Sequence, residues 1–201
     1  MKSVSRMVVL AVLAASALAV SAVPALAETP QEFAFSGAAG TNWTGTLRTS
    51  PHLQFRSGSL ECQEAGLTGV IPAGKTAPVA KAAFSYHGCK QNGITYTWLV
   101  TNCEYEFHQP LGYTGTFSIV KGPGTSACKV VLESVSCKIT IEAQTPPSSK
   151  VTYWNELARL HYALSLGGVK YTQSERCPGG GGSFTDGTYA GEMYMKEVAL
   201  N

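Results

Sequence analysis

Apolar and aromatic residues recur at every second position in short runs separated by Gly, Pro, Asn or Ser, and this period constrains the fold more than any other feature. Gln54 to Leu60, Ala82 to Tyr86, Ile94 to Val100, Cys103 to His108, Thr114 to Val120, Lys129 to Leu132, Lys138 to Ile141 and Thr188 to Met195 follow it, and all draw on Val, Ile, Thr, Tyr, Phe or Trp. Successive side chains of a strand point to opposite faces, so a period of two marks a half-buried strand. Many such strands in succession imply an all-β, antiparallel β-sandwich or a partly open barrel. Asn92-Gly93 is the firmest hairpin signal, because both residues tolerate the positive φ of a type I′ turn; a two-residue loop there sets Cys89 opposite Tyr96.

One stretch reads two ways. Trp154, Leu157, Leu160 and Leu164 would line one face of a short helix, whereas Ala158, Leu160, Tyr162, Leu164 and Leu166 alternate as a strand into Gly167-Gly168. The strand is the favoured reading, since the Tyr-rich flanks and closing glycines match the rest of the chain. Pro146-Pro147-Ser148-Ser149 reads as a surface loop and not as a linker, because Cys residues lie on both sides of it. Trp43-Thr44-Gly45-Thr46-Leu47, Tyr113-Thr114-Gly115-Thr116-Phe117 and Tyr189-Ala190-Gly191-Glu192-Met193 echo one another, a pattern common enough in strands to arise without duplication.

The N-terminus has the form of an export signal. Lys2 and Arg6 precede an apolar run from Met7 to Val23, and Ala25-Leu26-Ala27 supplies the small-x-small cleavage site, so residues 1–27 are read as a signal peptide cut before Glu28. Residues 28–201 then form a single secreted domain with no membrane span. Of 15 Lys and Arg in the chain, two leave with the leader, so the remainder balances 13 cations against 13 anions. A balanced surface lacks the cationic surplus that displaces counterions from phosphates, which excludes a nucleic-acid protein and a polybasic membrane binder.

Export also decides the cysteines. Cys62, Cys89, Cys103, Cys128, Cys137 and Cys177 are even in number and lack CxxC spacing, which favours three disulfides over zinc or thiol chemistry. Folding the chain back between Leu132 and Glu133 sets Cys128 opposite Cys137, with Val130 and Leu132 facing Val135, Ile139 and Ile141. Cys128 with Cys137 is therefore the first expected pair, followed by Cys89 with Cys103 and Cys62 with Cys177.

Tyr86-His87-Gly88-Cys89, Asn102-Cys103-Glu104-Tyr105, Cys137-Lys138-Ile139-Thr140-Ile141, Val151-Thr152-Tyr153-Trp154-Asn155 and Asp186-Gly187-Thr188-Tyr189-Ala190-Gly191 span most of the mature chain. In these scaffold positions it resembles uncharacterised secreted, Cys-containing β-rich proteins of soil actinobacteria. The resemblance implies an exported β domain and brings no activity, cofactor or catalytic residue with it.

Direct searches for chemistry leave little. There is no GxSxG, HExxH, GxGxxG or Walker loop, and Gly179 to Gly182 precedes a turn where a phosphate loop needs a helix. Asp186 is the only Asp, which removes calcium loops of the DxDxDG type and most triads. No metal or cofactor is expected. One constellation stands out: strand alternation sets Cys103, Tyr105 and Phe107 on one face and Glu104, Glu106 and His108 on the other. A solvated outer face explains the pattern; a secreted hydrolase acting on a polysaccharide or another polymer through these three residues is the alternative. Trp43, Trp98 and Trp154 are expected in the core, and His161 is expected on a wet surface beside Arg159. Asn42-Trp43-Thr44 is a glycosylation triplet of the kind that arises by chance. The preferred function is a non-enzymatic exported β domain whose partner is a surface glycan or a protein.

Overall fold

The computed structural model describes residues 35–36, 40, 42–70, 79–111, 113–156, 159–196 and 199–200. The expected signal peptide, residues 1–27, lies outside the described residues. A two-stranded pair, β1 (Phe35–Ser36) with β15 (Ala199–Leu200), stands apart from one antiparallel sheet of thirteen strands.

Followed in register, those thirteen strands are segments of eight long staves. β2 (Asn42–Phe55) is the first, and β3 (Gly58–Glu61) and β4 (Glu64–Val70) run in succession along it as the second. β5 (Val79–His87) with β6 (Cys89–Gln91), β7 (Ile94–Thr101) with β8 (Cys103–Leu111), and β9 (Thr114–Lys121) with β10 (Lys129–Glu133) make the next three. β11 (Lys138–Glu142) with β12 (Ser148–Glu156), then β13 (Arg159–Gln173), then β14 (Gly182–Met195) complete the set. Each stave pairs antiparallel with the next, and β14 pairs back onto β2 from Met195↔Gly45 to Thr188↔Gln54. The all-β antiparallel class expected from the sequence is present in its barrel form, as an up-and-down meander that returns to its first strand.

Alternation assigns the faces. β5 reads intermediate then strictly buried and exposed by turns, with Ala80, Ala82, Phe84 and Tyr86 inward. Phe107, Leu132, Ile139, Val151, Tyr153, Leu160, Tyr162 and Met193 are at most 1% exposed and fill the interior. An eight-stranded barrel has an interior just wide enough for its own side chains, which matches this packing. The outward positions carry Lys81, Glu104, Glu106, Lys150 and Glu192; a lipid-spanning barrel has the opposite arrangement.

Several expectations hold in detail. Asn92 and Gly93 have φ of 49° and 81°, the pair of positive values that type I′ requires, and Cys89 stands opposite Tyr96. Residues 159–166 are strand, paired with β12 from Glu156↔Arg159 to Ser149↔Leu166. The surface loop expected over Pro146-Pro147-Ser148-Ser149 is corrected in its second half: Ser148 and Ser149 begin β12, paired with Gly167 and Leu166, and only the Pro146-Pro147 part joins β11 to β12 within one stave.

The disulfide pairing is corrected throughout. The bonds are Cys62–Cys89, Cys103–Cys128 and Cys137–Cys177, in place of Cys128 with Cys137, Cys89 with Cys103 and Cys62 with Cys177. The β10–β11 turn explains the first error. It lies at Ser134 to Cys137, closed by Ser134 N–H donating to the Cys137 carbonyl (2.8 Å) and Cys137 N–H donating to Ser134 Oγ (3.1 Å). Val130 therefore faces Ile141 and Leu132 faces Ile139: the apolar faces are as read, but the turn sits further along and carries Cys137. Val135, expected on the apolar face, is 96% exposed at the turn tip. Cys62 and Cys89 sit at the breaks between β3 and β4 and between β5 and β6, directly across one register. Cys103 follows the break at Asn102 (φ 54°), whose carbonyl accepts from Gly122 N–H, and the chain returning from that contact brings Cys128 to it. Cys177 lies in a turn that covers Cys137, with Ser174 N–H donating to the Lys138 carbonyl.

Seven of the nine Tyr are buried, and for Tyr86, Tyr105, Tyr153 and Tyr162 burial pushes the phenol well above its usual range. Burial also moves Tyr189 up to about 12. The folded state thus keeps protons that the unfolded chain releases near pH 10, so stability is whole below pH 10 and falls as pH rises through the folded values. In an alkaline titration, the tyrosinate absorbance of these five residues should appear together with loss of the β-sheet circular dichroism signal. Their ionisation in a still-folded protein would contradict the packing described.

Candidate functional site

The β8 face is as the alternation indicates. Tyr105 and Phe107 are 3% and 0% exposed and Cys103 packs against the core, while Glu104, Glu106 and His108 point outward. The structure adds a residue that sequence reasoning missed. β5 runs alongside, Lys81 is opposite Glu106, and Lys81 Nζ lies 3.1 Å from Glu104 Oε2 and 3.3 Å from Glu106 Oε1. His108 Nε2 is 3.2 Å from the other oxygen of Glu106. Hydrogen bonds to Glu104 and then Glu106 raise the Lys81 ammonium above its ordinary pKa. Hydrolytic carboxylate pairs flank one bond from two sides; here both converge on one ammonium. Among the described residues, no group of three or more His, Cys, Asp or Glu side chains is placed to hold a metal ion.

A second outer face, on β12, β13, β14 and β2, is more concave. Trp154, His161 and Tyr194 form a rung across three strands, in register Trp154↔His161↔Tyr194. Trp154 stacks on His161 with centroids 5.4 Å apart, Tyr194 tilts against it at 5.9 Å, and the Arg159 guanidinium lies 5.0 Å over the Tyr194 ring. His161 is only 8% exposed although it points outward, so the expectation of a wet surface is corrected: its neighbours cover it. Arg48 Nη1 lies 3.4 Å from His161 Nδ1, and Glu156 Oε2 lies 3.5 Å from His161 Nε2. Arg48 also reaches Glu156 at 3.3 Å and Glu192 at 3.8 Å. The β14–β2 register shifts on both sides of Glu192, leaving Arg48 and Thr49 both exposed, and that bulge aims Arg48 at the rung.

Beyond this rung the side chains shrink. The next two rungs are Thr152, Ala163, Glu192 and Thr49, then Lys150, Ser165, Ala190 and His52. Ala163, Ser165 and Ala190 form a floor between taller rims, which leaves a groove of about 520 Å³ with Lys150 and Thr152 on one side and Glu192 and His52 on the other. The rims thus carry opposite charges and several hydroxyls. Trp154, expected in the core, is instead a half-buried wall of this face. Its neighbours contained the signal, since Val151 and Tyr153 alternate inward and force Thr152 and Trp154 outward.

No protein family, curated protein or solved structure matches the chain. The functional reading therefore stands on the geometry.

Replacing Glu104, Glu106 and His108 together by Thr should change unfolding free energy by no more than about 1 kcal/mol, because these side chains are half-buried on the outer face and ion pairs at the surface contribute little. Phe107→Ala should cost about 3 to 5 kcal/mol through the cavity it leaves. Urea denaturation of the two variants checks the face assignment, and comparable losses from both would refute it.

Proposed function

We propose that the protein is an exported, non-enzymatic β-barrel domain that binds an uncharged surface glycan along the groove floored by Ala163, Ser165 and Ala190. The observation that supports this most is the groove's position next to the Trp154, His161 and Tyr194 rung. Sugar rings present apolar faces that stack on aromatic side chains and hydroxyl edges that need donors and acceptors, and this surface offers both. Rims of opposite charge, Lys150 against Glu192, suit a neutral polymer better than a polyanion. Export is supported by the leader-like N-terminus and by three disulfides, which persist in oxidising compartments. Among the described residues, no helix is long and apolar enough to cross a membrane.

Co-sedimentation with cellulose and chitin, both uncharged, tests the reading. At least one polymer should retain the wild type, and Ala163→Trp, which fills the groove from an outward position, should reduce retention at least tenfold. Trp154→Ala should weaken it by a similar factor, without release of new reducing ends by any variant. Equal retention of Ala163→Trp and wild type, or retention of neither, would refute the groove.

A further inference from the structure

Among the described residues, His161 is the only buried side chain able to carry a positive charge. Both of its ring nitrogens face a charged group: Arg48 Nη1 lies 3.4 Å from Nδ1, and Glu156 Oε2 lies 3.5 Å from Nε2. A guanidinium has donors only and an ionised carboxylate has acceptors only, so this pair fixes the tautomer of the neutral ring. Nδ1 accepts from Arg48, and Nε2 carries the proton toward Glu156. Protonation places a second N–H on Nδ1 and sets two donors and two positive charges against each other.

The ring has no room to turn away. Trp154 stacks on it from β12, Tyr194 covers it from β14, and only 8% of the residue is exposed. Arg48 is the freer partner: its side chain is 44% exposed, and Glu156 and Glu192 already lie 3.3 Å and 3.8 Å from it. Of these two carboxylates, Glu192 lines the groove and Glu156 does not. The remaining charged neighbour, Arg159 on β13 itself, is held over the Tyr194 ring.

We propose that His161 is a proton switch for the groove: when its ring is charged, Arg48 leaves Nδ1, moves onto Glu192 at the groove rim and obstructs the glycan. The imidazolium takes Glu156 as its counter-ion, which leaves Glu192 to Arg48. Acid therefore closes the groove and loss of the proton opens it. The effect on binding rests on the groove reading given above, whereas the His161–Arg48 step can be measured without any glycan.

Two measurements test the switch. Nitrogen-15 NMR of the labelled protein from about pH 8 to pH 5 should show neutral His161 as the Nε2–H tautomer, and the Arg48 side-chain signal should shift with the same midpoint as the ring. Over that range, affinity for cellulose or chitin in co-sedimentation should fall about fivefold or more. Arg48→Gln removes the moving charge and His161→Gln the titrating ring, and each should abolish the pH dependence. His52→Gln removes the other imidazole on the rim, the one paired with Glu61, and should preserve it. A neutral Nδ1–H tautomer, an Arg48 signal that ignores the His161 midpoint, equal affinity at both ends of the range, or a pH dependence that survives Arg48→Gln and His161→Gln would overturn the proposal. Retention of neither polymer at any pH would refute the groove reading and the closure with it, while the NMR result still decides the His161–Arg48 step.

Discussion

The pairing of β14 with β2 is the interaction on which the rest of the structure depends. An open sheet of this length would expose two edges of unpaired N–H and C=O groups and could not enclose its apolar face. Closure removes both edges and gives every strand an inner and an outer side. Phe107, Tyr162 and Met193 then meet in one interior from strands far apart in sequence. The same closure sets β2 beside the rung and the groove floor that β12, β13 and β14 form, and so adds Arg48, Thr49 and His52 to that face. The bulge in the β14–β2 pairing, which aims Arg48 at His161, belongs to the closing contact itself.

Long staves need relief from accumulated twist, and the chain supplies it at breaks where the ladder is interrupted. Gly88 (φ 63°) and Asn102 (φ 54°) adopt left-handed backbone at two of these. The disulfides sit there as well: Cys62–Cys89 joins two breaks across neighbouring staves, and Cys103–Cys128 ties the break after β7 to the returning loop before β10. Cross-links placed where hydrogen bonds lapse hold the register that the ladder no longer enforces. The β5 and β7 residues that do not pair with each other, Ala83–His87 and Thr97–Thr101, end two residues before Cys89 and Cys103, so a disulfide flanks the gap in the ladder at each end.

Much of this was legible in the sequence, for one physical reason: faces follow parity, and parity is local. The Tyr105 and Phe107 face, the Glu104, Glu106 and His108 face, the strand after Arg159 and the Asn92-Gly93 turn all depend on neighbouring residues alone. Register depends on where turns close, and that is less visible. At β10–β11 a Ser134 side chain closes the turn, so a reading that placed the fold at Leu132-Glu133 kept the right faces and misplaced both Cys128 and Cys137. Contacts between distant strands were not visible at all. Lys81 is 23 residues from Glu104, and Arg48 is 113 from His161, so neither the ion-pair cluster nor the Arg48 contact with His161 could be assembled from local alternation, which does not say which strands pair. Trp154 was misplaced because a large aromatic suggests a core, although its own strand parity points outward.

The central claim is that the sheet closes through β14 and β2, and cross-strand NMR contacts test it most directly. Closure predicts nuclear Overhauser effects between the Ala190 and His52 backbones and between Tyr194 and Thr46. It also predicts slow amide exchange at the hydrogen-bonded positions of both strands. Absence of those contacts, with fast exchange along β2 and β14 in a protein whose β12–β13 ladder remains protected, would show an open sheet and contradict the account.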